Sequence, residues 1–208
     1  MELVLHHYYR SSSSWRVRWA LEEKGLAYRA VAVNLLASEQ RSDAYAGVSP
    51  TALVPALSLD GQVFTESVAI IELLDDLAPT PPLRPADPRA RARMRQLVEI
   101  VNAGTQPLQN LSVLTRVSPD RAAQIEWARP VIERGLGAFL RVVEGAPPGP
   151  YCLGDELTMA DLFLVPQLYN ARRFDVPLAG FGRLLEIEAA CLARGACARA
   201  APDAWQPG

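Results

Sequence analysis

Short alternating runs of apolar and polar residues fill the first 80 positions, and they predict strands interleaved with helices. Residues 2–9 are rich in β-forming residues and run into four serines at 11–14, so they predict a strand that ends in a loop. Helical spacing replaces this pattern over 14–24, where apolar residues alternate with Arg and Glu, and Gly25 follows as a C-cap. Residues 28–34 then predict a second strand, which completes a β-α-β unit.

A second group of elements follows a polar stretch at 35–50, which is expected to form a loop or a short helix. Residues 53–59 predict a strand, Asp60-Gly61 predicts a hairpin turn, and the antiparallel partner begins directly after the turn. Helical spacing over 68–77 predicts a helix with Ser67 as its N-cap. The order of elements in this region is therefore β-α-β followed by β-β-α.

The rest of the chain has helical spacing. Proline-rich residues 79–88 cannot continue a helix and predict an interdomain linker. We therefore divide the chain into an α/β domain at 1–80, a linker at 81–88 and an all-helical domain at 89–208. Amphipathic helices are predicted near 89–116, 119–144, 158–171 and 182–199.

Composition and charge exclude several classes of protein. Half of the 208 residues are hydrophobic, and the net charge of -2 offers no electrostatic footprint for nucleic acid or a membrane surface. No run approaches the roughly 20 apolar residues of a membrane span, and the N-terminus lacks a signal-peptide pattern. Three cysteines without CxxC spacing and two adjacent histidines, which would point to opposite faces of a strand, argue against disulfides and a metal site. We expect a protein of the reducing cytosol.

Arginines at 89, 91, 93 and 95 alternate with Ala and Met. This pattern is typical of a solvated helix face, with an anion site as the alternative interpretation.

The serine run has two interpretations. The first turn of a helix presents unpaired N–H groups and a partial positive charge, so a hydroxyl there can stabilise a thiolate and lower its pKa. The simpler interpretation is that one serine is an N-cap and the others fill the loop.

Two further features allow both a structural and a functional interpretation. Val54-Pro55 has a structural interpretation, in which the proline only opens an edge strand. Alternatively, it is a cis bond whose preceding backbone groups can pair with an extended peptide. Glu66-Ser67 is either a helix cap or a site for the ammonium and carboxylate of an amino-acid group. Thr158-Met159-Ala160-Asp161 is a capping box, which we interpret as structural.

In order and spacing, these features resemble the cytosolic glutathione transferase superfamily, and more narrowly its zeta class, the maleylacetoacetate isomerase family. The resemblance extends from about residue 3 to 200 and implies a thioredoxin-like α/β domain with a mixed four-stranded sheet, followed by an all-α domain. The segments that carry it are RSSSSWRVRWALEEKGL (10–26), LVPAL (53–57), ESVAIIELL (66–74), QPLQNLSVL (106–114), GDELTMADLFLVPQ (154–167) and ARRF (171–174).

The resemblance also implies glutathione as cofactor and a role for individual residues. Ser11 matches the serine that hydrogen-bonds the glutathione sulfur, and Ser12 and Ser13 line the same loop. The family motif commonly reads S-S-C, so Ser13 replaces a cysteine here, and any role of a protein thiol is lost.

The remaining implied contacts are with the peptide part of glutathione and with the substrate. Val54 pairs its backbone with the cysteinyl part, and Glu66 and Ser67 hold the γ-glutamyl group, although the family often has Gln before this Ser. Gln106 and Asn110 reach the tripeptide from the helical domain. Arg173 is suited to a substrate carboxylate, and Arg172 is a second candidate. Arg16 is a further candidate, for which a structural role is the alternative.

The implied reaction is the cis-trans isomerisation of maleylacetoacetate to fumarylacetoacetate in phenylalanine and tyrosine catabolism, in which a glutathione thiolate adds to the alkene. Alternatives are a maleylpyruvate isomerase, a general glutathione transferase and a non-catalytic glutathione-fold binding protein. Ser112 follows Leu111 where maleylpyruvate isomerases tend to carry arginine, which favours the first reaction. The family habit also implies a homodimer.

Overall fold

The computed structural model describes residues 1–206, and the chain forms two compact units. Unit 1 contains Met1–Pro82 together with residues 194–206, and unit 2 contains Leu83–Ala193. Helical spacing had predicted that all of 89–208 belongs to the helical domain. Residues 194–206 instead pack with unit 1, because Arg194 and Arg199 pair with acidic residues of its first helix.

A mixed four-stranded sheet forms the centre of unit 1, as the resemblance implied. Its order is β2-β1-β3-β4; β1 and β2 are parallel, and β3 is antiparallel to both of its neighbours. The strands are shorter than predicted. Their bounds are β1 (Leu3–His7), β2 (Arg29–Ala32), β3 (Ala56–Leu59) and β4 (Gln62–Thr65).

Helices α1–α3 and α9 belong to unit 1, and helices α4–α8 belong to unit 2. Their bounds are α1 (Ser12–Glu23), α2 (Asp43–Ala46), α3 (Ser67–Leu77), α4 (Pro88–Asn102), α5 (Leu111–Val117), α6 (Arg121–Glu144), α7 (Met159–Arg173), α8 (Gly182–Leu192) and α9 (Gly195–Ala200). Within residues 1–206, no helix combines the length and apolar character needed to cross a membrane.

Helix α1 is buried on all sides over most of its length. Every residue from Ser12 to Leu21 is buried, including Arg16 and Arg18, which are 0% exposed. The alternation of apolar and charged residues is therefore not an alternation of buried and exposed faces. The helix packs against α3 and against α9, which cover its charged positions.

Two of the predicted long helices are interrupted. The helix predicted at 89–116 ends at Asn102, turns through Gly104, continues as a short 3-10 segment at Gln106–Gln109 and resumes as α5. The break lies at Gly104 and Pro107, because Gly favours turns and Pro has no N–H for the helical ladder. The helix predicted at 182–199 is divided by Arg194, whose extended backbone separates α8 from α9.

Helix α7 is the central element of unit 2. All of its residues from Met159 to Leu168 are buried, and it packs against α4, α6 and α8. Its first turn contains the predicted capping box, in which the Asp161 carboxylate accepts hydrogen bonds from the Thr158 N–H at 2.8 Å and from the Thr158 hydroxyl at 3.1 Å.

Candidate functional site

Three polar segments leave the same end of the sheet in unit 1. The register places His6 opposite Ala56 and Ala56 opposite Thr65, so the end of β1, the start of β3 and the end of β4 lie side by side. The serine run comes shortly after β1, the Val54-Pro55 bond comes directly before β3, and Glu66-Ser67 comes directly after β4. Topology therefore brings together the segments that the sequence analysis selected separately.

Ser11 is the N-cap of α1. Its backbone is extended (φ -70, ψ 120), and its Oγ accepts a hydrogen bond from the Ser14 N–H at 3.2 Å. A serine hydroxyl that accepts one bond still has a hydrogen to donate. The structural interpretation of Ser11 as a cap is thus compatible with donation to an anion at the helix start.

Ser12 and Ser13 are the first two residues of α1, rather than loop residues, so the helix begins two residues before the predicted position. Their side chains are buried, at 7% and 8% exposed. At this position, their backbone N–H groups belong to the first helical turn, where the partial positive charge of the helix is greatest.

The Val54-Pro55 peptide bond is cis, which was the functional alternative in the sequence analysis. The Leu53 carbonyl just before it accepts hydrogen bonds from the Tyr45 hydroxyl at 2.8 Å and from the Ser49 hydroxyl at 3.1 Å. Within residues 1–206, no hydrogen bond uses the N–H or C=O of Val54. These two groups are therefore available to pair with an extended ligand.

Helix α3 begins one residue earlier than predicted. The N-cap is Glu66, not Ser67, and no side-chain bond caps the helix. Glu66 has φ 69, a conformation that residues with a side chain seldom adopt and that persists at ligand sites when the surrounding structure holds it. Ser67 is the first helical residue, and its Oγ accepts a hydrogen bond from Arg16 Nη1 at 3.3 Å.

Arg16 therefore connects α1 to the start of α3. Its guanidinium is fully buried, which favours the structural alternative over contact with a diffusing substrate. By donating to Ser67, it orients that hydroxyl so that the Ser67 hydrogen remains free for a carboxylate.

Arg172 and Arg173 lie at the C-terminal end of α7 in unit 2. Arg172 forms a two-fold hydrogen bond with Glu188, at 2.6 and 2.5 Å, and this bond raises the pKa of Arg172. Arg173 is half-buried; its Nη1 donates to the Asn170 side chain at 3.2 Å, and its carbonyl accepts from Arg121. Glu188 thus engages Arg172, and the predicted contact of either arginine with a substrate carboxylate stays a prediction.

Gln106 and Asn110 lie in the break between α4 and α5. Asn110 is the N-cap of α5, with its Oδ1 accepting from the Leu111 N–H at 3.0 Å, so its amide NH₂ remains a donor. The adjacent Gln109 is buried and exchanges two hydrogen bonds with Gln167, at 2.8 and 3.2 Å, which fixes the segment to α7. The predicted contacts of Gln106 and Asn110 with a ligand stay predictions.

Two arginines near the serine run were not selected from the sequence. Arg10 directly precedes Ser11 and lies 5.9 Å from the centre of the Tyr9 ring. Arg18 is fully buried and donates to the carbonyls of Tyr8 and Tyr9. Position next to the serines was the available signal for Arg10, but helical spacing gives no sign that Arg18 is buried. Residues 1–206 contain no group of three His, Cys, Asp or Glu side chains suited to a metal ion.

The similarity of the chain to known proteins extends over its whole length. The family described as glutathione S-transferase, N-terminal domain, matches residues 5–82. A maleylacetoacetate isomerase of Rhizobium meliloti is 44% identical over 210 residues, which cover 99% of each chain.

Solved structures give the same relationship. The holo structure of a maleylpyruvate isomerase, described as a bacterial zeta-class glutathione transferase, is similar with a TM-score of 0.95 and 40% identity, and 98% of each chain is covered. The maleylacetoacetate isomerase of Anaeromyxobacter dehalogenans, with glutathione bound in its active site, has a TM-score of 0.88 and 44% identity over 99% of this chain and 97% of that one. The chain therefore belongs to the zeta class of the glutathione transferase family, together with the maleylacetoacetate and maleylpyruvate isomerases.

Proposed function

We propose that the chain is a glutathione-dependent isomerase that converts maleylacetoacetate to fumarylacetoacetate. The observation that carries this proposal is the convergence of Ser11, Val54 and Ser67 at one end of the sheet, each with a polar group able to bind a peptide. The similarity to a maleylacetoacetate isomerase over 99% of both chains supports the choice of reaction.

The residues at this end of the sheet fit the parts of glutathione. The unused N–H and C=O of Val54 suit the cysteinyl backbone, and the carboxylate of Glu66 suits the γ-glutamyl ammonium. Ser67, oriented by Arg16 at the start of α3, suits the γ-glutamyl carboxylate, since helix N-termini bind anions. We assign Gln106 and Asn110 to the same ligand from unit 2 by resemblance.

Bound glutathione supplies a sulfur nucleophile that adds reversibly to the cis alkene of the substrate and thereby permits rotation. The protein must keep that sulfur ionised. The Ser11 hydroxyl donates to it, and the N–H groups of Ser12 and Ser13 contribute the positive end of the α1 dipole. Both effects favour the thiolate over the thiol, so they lower the pKa of the bound sulfur.

The substrate also carries carboxylates, and we assign Arg173 to bind one of them. Arg172 is less suited because Glu188 already occupies its guanidinium. The enolate oxygen that develops during the reaction is stabilised by N–H groups at the start of α1, as in other sites where charge forms in the transition state.

The test of this proposal is Ser11→Ala. We expect the variant to raise the pKa of bound glutathione, measured by the ultraviolet absorbance of the thiolate, and to lower kcat near neutral pH by about tenfold to a hundredfold. Because Ser11 is also a helix cap, Ser42→Ala serves as the matched control. Ser42 caps α2 through the same kind of bond, its Oγ accepting from the Tyr45 N–H at 3.2 Å. An unchanged thiol pKa in Ser11→Ala would remove Ser11 from this role.

Maleylpyruvate is the principal alternative substrate, because the chain is 40% identical to a zeta-class maleylpyruvate isomerase over 98% of its length. An absorbance assay with each substrate, with and without glutathione, distinguishes the two. Faster turnover of maleylpyruvate would reassign the substrate. Capture on immobilised glutathione without any isomerase or conjugating activity would favour a non-catalytic binding protein.

We also propose a homodimer located in the cytoplasm. The dimer is adopted from the resemblance, and the location is supported by three buried cysteines, none of which forms a disulfide. Sedimentation at several protein concentrations tests the dimer, and a mass equal to one chain at all of them contradicts it.

A further inference from the structure

The guanidinium of Arg18 is a buried cation of unit 1 with four hydrogen-bond partners. It is 0% exposed. Its Nε donates to the Ala200 carbonyl at 2.9 Å and its Nη2 to the Tyr9 carbonyl at 3.0 Å. Its Nη1 lies 3.4 Å from the Tyr8 carbonyl and 3.1 Å from Nδ1 of His7. Because arginine only donates, His7 Nδ1 is the acceptor.

None of these four partners is a carboxylate. Burial therefore lowers the pKa of Arg18 to about 10, although Tyr28 opposes the shift. Removing a guanidinium from water costs several kcal/mol, and an apolar side chain of similar size would avoid that penalty. Stability alone therefore does not explain an arginine at this position. Its hydrogen bonds indicate which backbone groups it holds in place.

The Tyr8 carbonyl links Arg18 to Ser11. The same oxygen that accepts from Arg18 also accepts from the Ser11 N–H at 3.0 Å. The Tyr8 N–H in turn lies 3.4 Å from the Ser14 hydroxyl, so both the N–H and the C=O of Tyr8 are bonded to the start of α1. A displacement of Tyr8 would therefore be transmitted to the backbone of Ser11.

The C-terminal segment, defined as residues 194–206, encloses Arg18 from the other side. Ala200 at the end of α9 supplies one carbonyl. The Trp205 ring lies 5.6 Å from the Arg18 guanidinium carbon and makes an edge contact with His7 at 4.9 Å between ring centres. A cation beneath an aromatic ring is stabilised by the ring's quadrupole, most strongly when it is desolvated.

We propose that Arg18 is a positioning residue that holds the 8–11 turn so that the Ser11 hydroxyl faces the bound sulfur, and that the C-terminal segment holds Arg18. This inference rests on the proposed function of Ser11. It makes the last helix of the chain part of the thiolate site, although that helix lies in the sequence after the entire helical unit.

Arg18→Lys is the direct test, because lysine keeps the charge but cannot donate to the separate carbonyls in the same fork geometry. We expect the pKa of bound glutathione to rise by about one unit, which corresponds to about a tenfold loss of thiolate at a pH well below the parent value. We also expect kcat to fall while KM changes by less than about twofold, since substrate contacts are intact.

Arg199→Gln is the matched control. Arg199 also attaches the C-terminal segment to α1, through Glu22 at 2.6 Å, but it has no bond to the 8–11 turn. It should leave the thiol pKa unchanged. The inference is overturned if Arg18→Lys leaves the thiol pKa at the parent value, or if Arg199→Gln shifts it equally.

Trp205→Leu provides a second test if Arg18→Lys does not fold. It leaves the donors of Arg18 in place and removes the aromatic cover, so hydrogen exchange over residues 8–11 should be faster and the thiol pKa higher. An unchanged thiol pKa in this variant also overturns the inference. The parent protein separates the two proposals: if it does not lower the pKa of bound glutathione, the proposed function fails, whereas a normal parent with unaffected variants contradicts only the positioning role.

Discussion

Ser11 and Ser67 show how one hydroxyl can serve both a helix and a ligand. Each accepts one hydrogen bond within the protein, from the Ser14 N–H and from Arg16 respectively. Each therefore has its own hydrogen left to donate, and the accepted bond fixes the oxygen from which it is donated. At the residue scale, structural and catalytic interpretations of such serines do not exclude each other.

Arg173→Ala should weaken substrate binding without affecting glutathione. Loss of a charge-assisted hydrogen bond to a substrate carboxylate costs roughly 2–5 kcal/mol when the pair is desolvated, and it would appear as a higher KM for the substrate acid. Arg172→Lys is the control, because Arg172 is engaged by Glu188 and a lysine retains the charge opposite that carboxylate. Steady-state kinetics of both variants decide the assignment, and equal KM values for Arg173→Ala and the parent would contradict it.

His7 should make the protein less stable in mild acid. Burial, Arg18 and His6 lower the pKa of His7 from 6.5 to about 4, so the unfolded chain binds a proton that the folded chain does not. The free energy of unfolding therefore falls as the pH decreases from 6.5 to about 4, by up to about 3 kcal/mol for this group.

His7→Gln removes this titration and retains an acceptor for Arg18. Relative to the parent, the variant should lose less stability between pH 6.5 and about 4 in urea-unfolding measurements. His6→Gln is the comparison; His6 also has a lowered pKa but is only half-buried, so its effect should be smaller. Identical pH slopes for His7→Gln and the parent would show that folding does not lower the pKa of His7.

At the scale of elements, helix N-termini organise both units. In unit 1, the starts of α1 and α3 provide the polar ends that the site uses. In unit 2, α7 begins with a buried carboxylate, Asp161, which accepts from the Cys152 N–H at 2.8 Å as well as from Thr158. Burial raises the pKa of Asp161, and the hydrogen bonds from Thr158 and Cys152 oppose that shift. The box thus joins the loop before α7 to the helix itself.

Asp161→Ala should destabilise unit 2 more than loss of an ordinary cap. It leaves the buried N–H groups of Cys152 and Thr158 without their acceptor, at a cost of about 3 kcal/mol. Asp120→Ala removes the exposed cap of α6, whose carboxylate accepts from the Ala123 N–H at 2.9 Å, and should cost about 1 kcal/mol. Chemical unfolding followed by circular dichroism compares the two. Similar losses would mean that Asp161 contributes only as a local cap.

At the scale of the whole molecule, the chain returns to its first unit at its end. Arg194 forms two hydrogen bonds with Glu23, at 2.8 and 2.7 Å, and Arg199 pairs with Glu22. Glu23 is nearly buried and also accepts from the Trp19 indole at 2.9 Å. Although burial raises the pKa of Glu23, these hydrogen bonds outweigh it, and the net shift is downward.

Arg194→Ala should reduce stability by about 2–3 kcal/mol, because it leaves a buried carboxylate with only one strong donor. Arg199→Ala should cost less than about 1 kcal/mol, since the Arg199 side chain is 62% exposed. Thermal unfolding of both variants measures the difference. If the two substitutions have equal effects, the packing of the C-terminal segment on α1 does not depend on burial of the Arg194–Glu23 ion pair.

The order of elements and the identity of the site segments were determined by the sequence. Periodicity of two and of 3.6 depends only on neighbouring residues, so β1, α1, β3, α3 and α7 could be predicted without a fold. The serine run, Val54-Pro55 and Glu66-Ser67 were selected by local chemistry and by resemblance, and the sheet register then brought them to one edge.

Only the tertiary structure decided the environment of the charged residues in α1 and the position of the last helix. Arg16 and Arg18 alternate with apolar residues in the same way as solvated arginines do, yet both are buried, because α3 covers Arg16 and the C-terminal segment covers Arg18. Burial depends on which distant segment packs against a helix, here one about 180 residues away along the chain. Spacing within a helix carries no information about that partner, which is why the positioning of Ser11 through Arg18 required the folded chain.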